Sequence, residues 1–127
     1  MIEGSDVSIV ATGHLVWESL KAAEILSDKG ISVEVINIHT IKPLDDEIIL
    51  NSVSKTKAIV TAEEHNIYGG LGESVSRILS TNLPTPQEFV GTNDTFGESG
   101  TPIQLMNKYG LKAENIISKA EKVIARK

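Results

Sequence analysis

The chain has 127 residues, the length of one domain. Hydrophobic residues make up 40% and charged residues 23%, a balance that suits a soluble globular fold, and with aromatics at only 4% its core must come from Ile, Val, Leu and Ala. A net charge of -5 argues against nucleic acid and anionic membrane as partners, and the lack of cysteine removes disulfides, a thiol nucleophile and a cysteine zinc site.

No apolar run is long enough to span a bilayer. Met1-Ile2-Glu3-Gly4-Ser5-Asp6 lacks the basic start and apolar stretch of a signal peptide. The cytoplasm is the expected compartment.

In chain order, Val7-Ser8-Ile9-Val10-Ala11-Thr12-Gly13 predicts a first strand, stopped by its glycine. A helix is predicted from Leu15 to Asp28, with Val16, Leu20, Ala23 and Leu26 or Ser27 on its apolar stripe and Gly30 as a left-handed C-terminal cap. Trp17 is read as core or as an interface anchor. A second strand is predicted over 31–38, followed by Thr40-Ile41-Lys42-Pro43-Leu44-Asp45. Pro43 disfavours helix at Lys42, and Asp45 can cap a short helix reaching about Val53.

Ala58 to Ala62 predicts a third strand. Glu63-Glu64-His65-Asn66 then reads as the turn after it, and Gly69-Gly70-Leu71-Gly72 opens a helix over 71–79. Pro84 and Pro86 bracket the approach to a fourth strand over 87–91. After a loop rich in turn formers, Thr101-Pro102 opens a helix that ends at Tyr109-Gly110, and a last helix is expected from Ala113 to Ala125. Strands alternating with helices predict one α/β domain over 1–127, a three-layer α/β/α open sandwich. A doubly wound strand order 2-1-3-4 would set Thr12-Gly13-His14 across a crevice from Glu63-Glu64-His65.

Each candidate site has a plainer reading beside it. Gly69, Gly70 and Gly72 could aim backbone N–H groups at an anion. The Gly-x-Gly-x-x-Gly spacing of a dinucleotide fingerprint is absent, and Glu73 already complements the helix dipole, so a tight packing turn is favoured. Glu63 and Glu64 are adjacent, so on a strand they would point to opposite faces and share no proton. His65 could be a base, an interface residue or a ligand. With His14 and one glutamate it would form a thin metal site, and no metal is expected. The candidate crevice or domain interface is therefore His14, Glu63, Glu64, His65, Gly69, Gly70 and Gly72. A phosphorylated receiver domain is rejected, because Ala11-Thr12-Gly13 stands where acidic residues are needed.

Three stretches occur in register: Thr40-Ile41-Lys42-Pro43-Leu44-Asp45, Glu63-Glu64-His65-Asn66 with Gly69-Gly70-Leu71-Gly72, and Phe96-Gly97-Glu98-Ser99-Gly100-Thr101-Pro102. Together they resemble the C-terminal domain of transketolases, nearest to the two-subunit type, in which this domain ends the smaller subunit. Deoxyxylulose-phosphate synthase and the β-subunit of 2-oxoacid dehydrogenases end in similar domains and rank second. A stand-alone small-molecule binding module is the alternative of another class.

The resemblance implies a mostly parallel sheet with an extra antiparallel edge strand before Glu3. That strand is expected to be absent or a stub, leaving an exposed edge at strand two in what looks like a cut-out domain. It further implies a thiamine-diphosphate enzyme with Mg2+ that moves ketol units between sugar phosphates in the pentose phosphate pathway. The cofactor would lie between other domains. Nothing here matches the family's diphosphate motif or activating glutamate, so no catalytic residue is expected in this chain. The implied role is structural, assembly-directed or regulatory. Its partners would be the pyrimidine- and diphosphate-binding domains or subunit, within a homo-oligomer.

Overall fold

The computed structural model describes residues 2–38, 45–66, 70–92 and 113–127. Its elements are β1 (Val7–Ala11), α1 (Leu15–Asp28), β2 (Val33–Asn37), α2 (Asp46–Thr56), β3 (Ile59–Asn66), α3 (Leu71–Asn82), β4 (Gln87–Thr92) and α4 (Ala113–Ala125). The four strands form one parallel sheet in the order β2-β1-β3-β4. Fold class and strand order are those the sequence predicts. The helix expected after Thr101-Pro102 lies outside the described residues.

Period-two alternation sorts the strands onto two cores. Val7, Ile9 and Ala11 of β1, Val33 and Val35 of β2, and Val60 and Ala62 of β3 pack with α1 and α4. Val10, Ile36 and Ile59 point the other way and pack with α2 and α3. Both sheet faces are covered, which is why these strands read as continuous apolar runs. On the second face the alternation places Ser8 beneath α2, where its hydroxyl lies 2.6 Å from both Ser52 Oγ and Thr56 Oγ1. Three buried hydroxyls thus satisfy one another.

α4 is held to the edge strand β4 by charge. Glu88 takes Lys119 at 3.6 Å, Lys122 at 3.7 Å and the Arg126 guanidinium, which also donates to the Gln87 carbonyl at 3.0 Å. One nearly buried carboxylate therefore collects two cations from α4 and a third from the residue just past its end.

Several boundaries differ from the sequence reading. α1 buries Leu15, Glu18, Ser19, Ala22, Ala23 and Leu26, whereas Val16 and Leu20 only border the core. Trp17 is 66% exposed, so its core alternative is not realised. The edge at β2 is partly covered rather than open. Ile2 forms an antiparallel bridge with Val35, and Ile2 N–H donates to the Val35 carbonyl at 3.4 Å while Val35 N–H donates back at 2.9 Å. Gly4 N–H donates to Glu34 Oε1 at 3.2 Å. A Cβ at Gly4 would overlap the Val33–Glu34 backbone, so the close approach of this segment requires glycine.

The largest boundary shift is at β3. The strand does not end at Ala62 but continues through Asn66, which pairs with Thr92 of β4 past an irregularity in register. β1 stops at Ala11, opposite Ala62. The β3–β4 pair therefore overhangs β1 at the C-terminal edge of the sheet. Glu63, Glu64 and His65 belong to the strand, not to the turn after it.

Candidate functional site

The order β2-β1-β3-β4 puts the topological switch point between β1 and β3, and ligands of open α/β sheets bind outside the strand ends there. His14 lies at this edge as the exposed N-cap of α1 and makes no side-chain capping bond. Glu64 and His65 lie in the overhang, Gly70 is the N-cap of α3 and Gly72 lies in its first turn. Gly69 lies outside the described residues.

The side chain that organises the edge is Glu63. It is 2% exposed and follows Ile59 and Thr61 onto the α3 face. Its Oε1 accepts Leu71 N–H at 3.0 Å and its Oε2 accepts Gly72 N–H at 2.7 Å. Both carboxylate oxygens thus cap the first turn of α3, where free N–H groups and the helix dipole favour negative charge. The glycine turn does present backbone donors, but the chain's own carboxylate receives them. Glu63 turns to the α3 face, whereas His14 opens α1 on the other.

Gly72 lets α3 come down on the sheet. A Cβ there would fall 2.6 Å from Phe89 Cε2 and 3.0 Å from Thr61 Oγ1. Gln87 Nε2 donates to the Gly72 carbonyl at 3.0 Å and to Thr61 Oγ1 at 3.2 Å, tying the same turn to β3 and β4.

Two other helices repeat the pattern. Asp45 Oδ1 accepts Ile48 N–H at 3.2 Å at the start of α2. Glu18 lies in the first turn of α1, and its Oε1 accepts Ala113 N–H at 3.0 Å, at the start of α4. Lys21 bonds its other oxygen at 3.1 Å. Burial pushes the Glu18 carboxyl up, but the Ala113 N–H, Lys21 and the nearby His14 outweigh it and hold it below the usual range. Glu34 behaves alike. Burial raises it, while Lys55 at 2.6 Å, the Ser52 hydroxyl and Gly4 N–H bring it down. Sequence reasoning missed Glu18, because its partner lies 95 residues away.

Depressed carboxyls contribute stability that is present above the unfolded value, about pH 4.3, and lost as pH falls through the lower folded value. The melting temperature should therefore hold to about pH 5 and drop below about pH 4. Glu18→Gln should be less stable near neutrality and show a shallower acid limb, both measurable by thermal melts across pH.

A doubly wound α/β domain whose strand-end edge is closed by its own carboxylates is the class that fold and site define. The chain belongs to the transketolase C-terminal domain family, whose description, "Transketolase, C-terminal domain", matches residues 1–116. It is 48% identical over 125 residues to a 6-deoxy-6-sulfo-D-fructose transketolase subunit of Clostridium sp. (strain MSTE9), covering 98% of this chain and 39% of that protein. It is 37% identical over 121 residues to a 1-deoxy-D-xylulose-5-phosphate synthase of Desulforudis audaxviator (strain MP104C), covering 94% of this chain and 19% of that one. A solved split gene transketolase, titled an inactive beta4 tetramer, superposes with TM-score 0.93 at 44% identity, covering 98% of this chain and 41% of that one. The chain thus spans about two-fifths of its split-subunit relatives. No helix among the described residues is long and apolar enough to cross a membrane.

Proposed function

We propose that this chain is the C-terminal domain of the small subunit of a two-subunit transketolase-type enzyme. In this reading it is a cytoplasmic assembly domain that supplies no catalytic group. The carrying observation is Glu63, whose two oxygens are both engaged by the α3 backbone and which therefore serves packing. Thiamine diphosphate and Mg2+ would be held by the other domains. The described residues do not fit the diphosphate. The starts of α2, α3 and α4 are capped by Asp45, Glu63 and Glu18, and α1 carries Glu18 in its first turn, so an incoming anion meets negative charge at each.

The 48% identity to the Clostridium subunit, against 37% to the Desulforudis synthase, favours the split transketolases over deoxyxylulose-phosphate synthase, which is the second reading. The sugar donor is proposed only as a ketose able to release a two-carbon ketol unit. Pentose phosphate metabolism is one setting for that chemistry, and the sulfonated sugar in the Clostridium subunit's name is another.

Calorimetric titration of the 127-residue chain with thiamine diphosphate and Mg2+ tests the reading. No saturable heat is expected, and the chain alone should transfer no ketol group. Micromolar affinity would overturn the assignment of cofactor binding to other domains.

A further inference from the structure

We propose that Trp17 anchors the packing of the polypeptide that precedes Met1 in the parent subunit onto the C-terminal edge of this sheet. The inference rests on the reading above, in which this chain is one domain of a longer subunit. Its own observations are two.

The first is Trp17 itself. It is 66% exposed in the first turn of α1, and its backbone N–H donates to the His14 carbonyl at 3.1 Å. It is the chain's single tryptophan. A tryptophan side chain buries about 150–250 Å² when packed and is among the residues most enriched at interface hot spots. The α1 core stripe passes through Leu15, Ala22 and Leu26 and leaves Trp17 outside it.

The second is the direction of the chain's beginning. Asp6 N–H donates to the Ser32 carbonyl, Gly4 N–H to the Glu34 side chain, and Ile2 pairs with Val35. Read backwards from Asp6, the chain climbs antiparallel along β2 toward Asn37. Whatever precedes Met1 is therefore delivered to the strands' C-terminal edge. β2 lies beside β1, so the delivered segment is two strand spacings, about 10 Å, from the strand that leads into α1. The edge that receives the preceding polypeptide is the one that displays the exposed indole. In the split-subunit relatives, most of the chain lies outside the matched region, so a body large enough to cover Trp17 is at hand.

Hydroxyl-radical footprinting of the assembled parent subunit, read by mass spectrometry, tests this at the residue. Trp17 oxidation is compared with the same peptide in urea-unfolded subunit, and Leu83 serves as an exposed reference. Trp17 should be protected several-fold, while Leu83 is not. Oxidation of Trp17 as ready as its exposure here dictates would overturn the proposal. Trp17→Ala gives a second readout. It should leave the melting temperature of the 127-residue chain unchanged and lower that of the parent subunit, with Trp17→Phe restoring most of the difference. Equal effects in both would make Trp17 an internal structural residue and sink the proposal. If the parent reading frame encodes no thiamine-binding domain, the functional reading falls first. A thiamine-binding parent with an unprotected Trp17 defeats this inference alone.

Discussion

Glu63→Gln should destabilise the domain by about 2–4 kcal/mol, the range for removing a charged acceptor and leaving a buried donor unpaired. The amide keeps one oxygen for Leu71 or Gly72 N–H but turns an NH2 group toward the other. Two donors then face each other at a helix start that favours negative charge. Glu63→Asp keeps the charge but is one methylene short, and should recover only part of the loss. Chemical denaturation of the 127-residue chain measures both. In the assembled enzyme at saturating cofactor, turnover of Glu63→Gln should change by less than about tenfold, against the 10²-fold or more that follows loss of a general base. A collapse in turnover with unchanged stability would make Glu63 a catalytic group and overturn its packing role.

Gly72→Ala should destabilise by about 1–3 kcal/mol through overpacking. The new methyl group would meet the Phe89 ring and the Thr61 hydroxyl, and α3 would have to lift from the sheet to admit it. Lifting α3 would also stretch the Glu63 bonds to Leu71 and Gly72, so the two sites should couple. A double mutant of Gly72→Ala with Glu63→Gln should lose less than the sum of the single effects. Phe89→Leu should relieve part of the Gly72→Ala loss by opening space under the turn. Additive losses would show that the two contacts act independently.

The parts of the fold legible in the sequence are those governed by short-range chemistry. Apolar runs at β1 and β3, Gly30 after α1 and Asp45 before α2 each carry a local signal, and the structure uses them as such. The alternation of strands and helices is enough to give a parallel sheet, while the order 2-1-3-4 comes from the doubly wound arrangement and not from any residue in the strands. The end of β3 was not legible, because Glu63-Glu64-His65-Asn66 breaks the apolar pattern and reads as a turn. What continues the strand is pairing with β4, and what permits a buried carboxylate there is a pair of N–H groups eight and nine residues further on. Glu18 was invisible for the same reason, since an acid in a first helical turn looks like a dipole complement until its distant partner is known. Glu63, Gly70 and Gly72 are all candidates from the sequence, but nothing local in it says that the carboxylate answers the glycine turn. Trp17 was ambiguous because a tryptophan at a helix start fits either side of the helix, and only the position of the neighbouring core decides.

The order β2-β1-β3-β4 also governs when the domain can form. β1 is made first but sits inside the sheet, and one of its sides stays open until Ile59 to Ala62 has been made. Among the described residues every pairing between the named strands spans a whole helical crossover, such as Val7 with Val33 and Ile59 with Gln87, and no hairpin joins two of them to nucleate the sheet locally. Loop closure must precede reward at each step, so folding should be slow for a chain of this size and late in synthesis. The apolar Val7–Ala11 stretch would meanwhile be a site for chaperone capture on the ribosome, released once β3 arrives.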